Sequence, residues 1–398
     1  MIKREIYLSK IRGFYDSDLI KVITGIRRSG KSVLMSQIID ELKNHGVDDS
    51  HIVYINFEDF DYSGYTDPKA FHQFVMDKIK DKRKYYLLFD EIQAVDSFEK
   101  AINSFRVKIN SSIFITGSNS KLMAGEFATL LSGRYVSIHV LPFVFKEFLE
   151  LNQMDAASET DKSFEEFLRF GGMPQIYNTN NERERRLYLK DLYNTIVLKD
   201  IVERNKIKNP NLLNRIVQFS MENIGQIVSA NSIAKYFKSE RIETTVDTVL
   251  NYLDKITSAL IFSKVNRYDI RGKHVMATLD KYYISDLGFL QLKNSQIELK
   301  IGSRLENIVY NELLSRDFLV YIGKTNNGEI DFVADDGEKR IYIQVTDLLG
   351  NDEVISREFG AFNSINDNYE KIVLSMDKLD YSRNGIKHIN IVDWLLER

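Results

Sequence analysis

Between the apolar run "LIKVIT" and the amphipathic stretch "VLMSQIIDEL" the chain reads "GIRRSGKS", Gly25 to Ser32. The spacing Gly-x4-Gly-Lys-Ser constrains the fold more than any other feature, because it works only as a loop joining a buried strand to a helix. Its glycines let backbone N–H groups close around phosphate oxygens, and the helix behind it directs its positive end at the same place. The phosphate-lining residues are then Gly25, Ile26, Arg27, Arg28, Ser29, Gly30, Lys31, Ser32 and Val33. Lys31 would reach the β- and γ-phosphates, and Ser32 would bind Mg²⁺. Leu34, Met35, Ile38, Ile39 and Leu42 recur with helical spacing and supply the supporting face.

Holding a nucleotide is not hydrolysing it, and a second motif bears on that difference. "YYLLFDEI" ends an apolar run in Asp90 and Glu91. Asp90 suits Mg²⁺ held through its water shell, and Glu91 suits orienting or deprotonating the attacking water. "IFITGSNS" ends another run in Ser118 and Asn119, which either face the γ-phosphate or cap a helix. Arg134 in "LLSGRY" either neutralises developing charge, in cis or in trans on a neighbouring subunit's nucleotide, or makes a surface ion pair. Glu58 and Asp59 in "INFEDF" end a strand on the ligand side of the sheet.

Up to about Pro142, short apolar runs alternate with amphipathic stretches, which predicts a parallel sheet covered by helices on both faces. From Phe143 to Lys208 the strand runs stop. "VFKEFLEL", "SFEEFLRF" and "ERERRLYLKDLYNTIVLKDIVERN" have helical spacing, with Leu187, Leu192, Ile196 and Ile201 on one broad face. "NPN" at Asn209–Asn211 opens a third region, 209–295, of three helices and then two strand runs, "LIFSKVNRY" and "KYYISD". That is the order of a winged helix, with Asn231 or Ser229 as the cap of its second helix. Residues 296–398 read as a separate α/β unit. The chain of 398 residues has 28% charged residues, no cysteine and a net charge of −3. Disulfides, thiolate catalysis and Cys-ligated zinc are excluded, and there is no global basic signature of a nucleic-acid binder. The six histidines lack metal-ligand spacing. The basic N-terminus does not resemble a signal peptide, and no uncharged run approaches the roughly 20 residues of a membrane span. These features point to a soluble, cytoplasmic protein without a membrane partner.

"GIRRSGKS", "YINFED", "LLFDEI", "TGSNS", "LSGRY", "FGGMP" and "LKDIVERN" together resemble a bacterial and archaeal group of AAA-type P-loop ATPases. Its members are similar to the STAND ATPases and carry a C-terminal domain of unknown function resembling a PD-(D/E)xK nuclease fold. The resemblance implies an α/β P-loop domain (1–142), a helical lid (143–208), a winged helix (209–295) and a restriction-endonuclease-like domain (296–398). In that scheme Gly171–Pro174 resembles a Gly-x-Pro module coupling nucleotide state to the rest of the molecule; read from residues alone it is a helix stop.

A nuclease of that type needs a helix glutamate, a strand aspartate and then Glu or Gln-x-Lys. Glu306, Asp331 and Gln344-Val345-Thr346 match in spacing but not in chemistry, since an amide replaces a carboxylate and threonine replaces lysine. Lys339 and Lys371 are candidates to fill that gap, and cleavage is not expected. In the winged helix, Lys264, Arg267, Arg271 and Lys273 make a basic wing for DNA phosphates, a protein contact being the alternative. The sequence thus predicts an ATP- and Mg²⁺-dependent hydrolytic switch, with a homo-oligomer as a further expectation. The alternative is a nucleotide-gated DNA- or protein-binding regulator whose turnover is incidental.

Overall fold

The computed structural model describes residues 2–123, 133–152, 157–276, 279–292, 300–325 and 328–397. Leu130–Ser132 of "LLSGRY", Ala277 and Thr278 between the two strand runs, and the boundary at 295/296 lie outside the described residues. The chain forms two compact units, Met1–Leu141 with Ser258–Leu260, and Pro142–Thr257 with Ile261–Arg398.

The first unit is built on five strands: β1 (Ile20–Thr24), β2 (Ile52–Asn56), β3 (Tyr85–Asp90), β4 (Ser111–Gly117) and β5 (Tyr135–His139). Their order is β2-β3-β4-β1-β5, and every pairing is parallel. β1 and β3 are buried at every position, as their unbroken apolar pattern requires of central strands covered on both faces. Helices α1 (Glu5–Arg12) and α2 (Lys31–Asn44) pack Leu8, Ile11, Leu34, Met35 and Ile38 into one cluster. Helices α3 (Pro68–Lys78) and α4 (Phe98–Lys108) pack Phe71 and Phe105 into another, with Leu87 and Phe89 from the sheet. Asp67 starts α3 by accepting the N–H groups of Lys69 and Ala70, with Pro68 in the first turn where no N–H is needed. The strand order is what builds the site. Because β4 lies between β1 and β3, the residues leaving the carboxyl ends of those three strands sit side by side.

One side chain departs from the apolar reading of "LIKVIT". Lys21 is fully buried in β1, donating to Ser112 Oγ at 2.7 Å and Ser17 O at 3.2 Å, with its ammonium 4.5 Å above the Phe114 ring.

The second unit opens with helices over Phe145–Asn152, Ala157–Phe170 and Glu182–Thr195, the last continuing as a π-helix over Ile196–Glu203. Its buried side is Leu189, Leu192, Tyr193, Ile196, Val197 and Ile201. Leu192, Ile196 and Ile201 share that face as expected, whereas Leu187 is 53% exposed and Leu189 takes its place; i→i+5 winding keeps Ile196 and Ile201 together. Helices over Pro210–Glu222, Ala230–Ser239 and Val246–Ser258 follow. Ser229 caps the second of these through a capping box with Ser232, while Asn231 lies inside the helix.

Strands β6 (Ile227–Val228), β7 (Phe262–Val265) and β10 (Asp280–Ile284) form a three-stranded sheet, β6-β10-β7. The residues between β7 and β10 do not form a free wing. They give β8 (Arg267–Asp269) and β9 (His274–Val275) to a second sheet with β11 (Leu319–Lys324), β12 (Glu329–Asp335), β13 (Arg340–Val345), β14 (Glu370–Ser375) and β15 (Lys387–Asn390). Its order is β15-β14-β13-β12-β11-β8-β9, with β8 parallel to β11. No helix among the described residues is long and apolar enough to cross a membrane.

Candidate nucleotide site

The loop Gly25–Gly30 leaves β1 and delivers Lys31 as the first residue of α2. Gly30 takes φ +100°, a left-handed turn that L side chains rarely adopt. A Cβ on Gly25 would stand 2.2 Å from the carbonyl oxygen of Val140, so the loop closes onto β5's exit only without a side chain there. Lys31 is buried, and its ammonium donates to the carbonyls of Gly25 (3.0 Å) and Ile26 (3.3 Å) while standing 3.3 Å from Glu91 Oε1. Arg27 pairs with Glu58 at 2.7 Å, which brings Glu58 to the loop; Arg28, Ser32 and Val33 are exposed or half-buried at its rim. Asp59 instead accepts the N–H of Asp61 and starts a short helical turn.

At the end of β3, Asp90 is fully buried. Its Oδ1 accepts the Thr116 hydroxyl and its Oδ2 accepts Tyr54 at 3.2 Å, so hydroxyls from β4 and β2 fix the carboxylate. Glu91 adopts φ 52° and ψ 45°, a left-handed conformation rare for a side chain of this kind, and its N–H donates to Thr116 Oγ1 at 2.9 Å. The Gln93 amide also donates to the Glu91 carboxylate. Burial alone would raise the pKa of that carboxyl. The Lys31 ammonium, the Gln93 amide and Arg27 outweigh burial, and Glu91 titrates below its ordinary range.

Ser118 and Asn119 are buried at the exit of β4, and the Ser118 hydroxyl has no hydrogen-bond partner among the described residues. Ser29 Oγ, inside the loop, is likewise buried and unpaired. Two orphaned hydroxyls, a side-chain-free cradle at Gly25 and a buried ammonium fit a polyphosphate, which supplies the acceptors they lack. The oxygen donors Ser32 and Asp90 fit a hard divalent cation. Arg134 is not part of this cluster. It is exposed at the amino end of β5, with the five-residue strand, about 17 Å, between it and the loop's end of the sheet.

Sequence reading missed four contributors. Thr116 and Tyr54 set Asp90 and Glu91, and each comes from a strand whose partner is fixed only by the fold. His139 lies within 3.4 Å of Thr24 Oγ1; burial, with Lys31's charge adding to it, pushes its pKa down to about 4 and keeps the ring neutral. Arg4, one of several basic residues in "MIKREIY", is buried against the loop.

In the second unit, "FGGMP" both ends a helix at Phe170 and makes a specific contact. The Gly172 N–H donates to buried Asp286 at 2.6 Å and Gly288's N–H donates to the same carboxylate at 2.8 Å. Burial pushes Asp286 up to about 7, against those donations and one from Met173.

The acidic cluster of the C-terminal sheet is filled by a lysine no motif pointed to. Lys281 of β10 is 4% exposed, 2.9 Å from Glu306, 2.7 Å from Glu329 and 3.7 Å from Asp331. Tyr283 also donates to Glu306, and Gln344 Oε1 accepts the Asp331 N–H at 3.1 Å. Burial and neighbouring Glu306 raise the pKa of Asp331. Lys339 and Lys371 do not fill this gap: Lys371 donates to Asp367 O, and Lys339 stands over the Phe318 ring. Among the described residues no group of His, Asp and Glu has the arrangement of a metal centre. Of the four basic wing residues, Lys264 is paired with Asp280 at 3.1 Å and Arg267 is a strand residue of β8. Arg271 and Lys273 are exposed and line a cleft of about 560 Å³ with Thr325, Ser364, Asn366 and Asp367.

Residues 17–149 match the family described as an AAA domain, and residues 161–298 match a domain of unknown function, DUF8612. A protein of Haemophilus influenzae is 40% identical over 100% of this chain and 99% of its own length. One of Methanocaldococcus jannaschii is 30% identical over 94% of this chain and 85% of its own length. Both carry the name uncharacterized protein. A solved Walker-type ATPase of Pyrococcus abyssi is 14% identical, with a TM-score of 0.51 over 74% of this chain and 96% of that one, a likeness of fold.

Proposed function

We propose, from the premise that this chain belongs to the family of AAA-type P-loop ATPases, that it binds Mg²⁺-ATP and hydrolyses it as a molecular switch. The observation that carries this reading is the convergence of Lys31, Glu91 and the unpaired Ser118 hydroxyl at neighbouring strand ends. Lys31 neutralises the β- and γ-phosphates in ground and transition states alike. Glu91 orients the attacking water and takes its proton, while Ser118 and Asn119 donate toward the γ-phosphate. Ser32 and Asp90 would hold Mg²⁺, which supplies charge to the phosphate oxygens. Arg134 acts in trans, on the nucleotide of a second copy of the chain.

A second reading, a regulator with slow turnover, is favoured by the two contacts that hold Glu91. Glu91 is engaged by Lys31 and Gln93, and must be released from both before it can serve water. In either case the second unit is the partner-facing part. It is proposed not to cleave DNA, because Lys281 already occupies the acidic cluster, Gln344 brings no negative charge for a cation and Thr346 brings no ammonium. Weak, sequence-tolerant DNA contact through Arg271 and Lys273 remains the proposed nucleic-acid surface.

Lys31→Ala is expected to abolish ATP binding, measured by calorimetry. Glu91→Gln is expected to keep binding and lose hydrolysis, measured by phosphate release. Full turnover by Glu91→Gln would refute the catalytic assignment.

A further inference from the structure

Arg4 is among the most deeply buried charges in the first unit, 1% exposed, although it lies in a basic N-terminal stretch that reads as surface. Its Nη1 donates to the carbonyl of Ser29 at 2.8 Å, and its Nη2 to the carbonyl of Leu141 at 2.9 Å. The guanidinium also lies 4.8 Å from the centre of the Tyr7 ring, and the Tyr7 hydroxyl accepts the Leu141 N–H at 3.0 Å. The backbone that presents Arg4 is fastened to α2. Gln37 Oε1 accepts the Arg4 N–H at 2.9 Å, and Gln37 Nε2 donates to the Ile2 carbonyl at 2.7 Å. One fork thus ties the phosphate-binding loop to the residue following β5's exit, while a glutamine nearly two turns into α2 holds the fork in place.

We propose that Arg4 is a positioning residue for the nucleotide: by holding the Ser29 carbonyl it sets the direction of the Gly30 N–H, one donor of the phosphate cradle. In a trans peptide the carbonyl and the following N–H point to opposite sides of one plane. Fixing Ser29 C=O toward Arg4 therefore turns the Gly30 N–H away from it. The same contact adds to the preference for glycine that the φ of +100° at residue 30 already imposes, since a Cβ there would stand 3.0 Å from Arg4 Nη1. A planar guanidinium spans two carbonyls in a fixed geometry, which a single ammonium does not reproduce. A loop whose donors are set before the ligand arrives does not spend binding energy on ordering them.

This inference rests on the nucleotide reading, and the test separates the two. Titrate the full-length protein with Mg²⁺-ADP and with AMP by calorimetry, for the parent and for Arg4→Met, Arg4→Lys and Lys31→Ala. Arg4→Met is expected to bind ADP at least about tenfold more weakly, with AMP nearly unaffected, because the loss falls on the phosphate cradle. Arg4→Lys keeps charge and one donor, and is expected to recover part of that loss. Parental ADP affinity in Arg4→Met, or equal weakening of ADP and AMP, would overturn the proposal. If Arg4→Met does not fold, Arg4→Lys decides: about threefold or greater loss of ADP affinity supports the proposal, and parental affinity overturns it. Parental ADP affinity in Lys31→Ala would overturn the nucleotide reading itself, and the role given to Arg4 with it.

Discussion

At Lys21 an ammonium lies inside the fully buried strand β1, with Ser112 Oγ as its nearest acceptor. Burial, helped by the charge of Lys84 and opposed by Asp18 and Asp16, pushes its pKa down to about 7. In the unfolded chain the same lysine keeps its proton to its ordinary value near 10.5. Between these values the unfolded state binds more protons, so stability rises with pH through this window and carries the full penalty below it. Lys21→Met fills the strand without a charge. Its urea midpoint is expected to exceed the parent's most at pH 6, with the advantage shrinking by pH 9; an advantage independent of pH would contradict the assignment. Lys21 and Arg4 show where sequence reading stops at this scale. Each is an ordinary basic residue until its partner is known, and those partners lie 91 residues on at Ser112 and 137 residues on at Leu141. Gly25–Ser32, Asp90 and Glu91 could be named as candidates from sequence because their spacing is local, and the structure brings Lys31 and Glu91 together.

The elements themselves were mostly legible, and the failures fall on the shortest. Strands β1, β3 and β4 announce themselves as apolar runs, whereas β8 and β9, of three and two residues, have no period to read. β8 pairs directly with β11 and sets the Tyr268 ring against Tyr321, while β9 joins the sheet through β8. The same connection brings β10 against the helix Ile301–Ser315 and β12, so that one lysine meets three carboxylates. Removing one partner from a buried charge cluster typically costs about 3–5 kcal/mol. Lys281→Met is expected to lose about that much in urea unfolding. Adding Glu306→Gln should return a good part of it, because the second change removes a charge left without its counterion. Strictly additive losses would mean that the two side chains do not act together.

For the whole molecule, the distance of Arg134 from its own phosphate loop makes assembly a kinetic question. Neither Glu91→Gln nor Arg134→Ala is expected to turn over ATP appreciably alone. In an equimolar mixture, a site with intact Glu91 meets a neighbour with intact Arg134, and phosphate release should reappear and grow with protein concentration. No recovery would exclude a shared site. The ordered motifs along the chain made the nucleotide-binding domain readable in advance, while the division of the remaining residues was not, since β8 and β9 cross a border drawn by composition. That crossing has a practical meaning for anyone who cuts the chain. A fragment begun at residue 296 would leave behind β8, which covers the outer edge of β11, and β9 beyond it, together with Lys281. It would carry a raw sheet edge ready to pair with another copy, and an acidic pocket without its counterion. The modular boundary suggested by sequence is therefore a poor place to divide the protein, and an excised C-terminal domain would owe its aggregation to the scissors rather than to its own sequence.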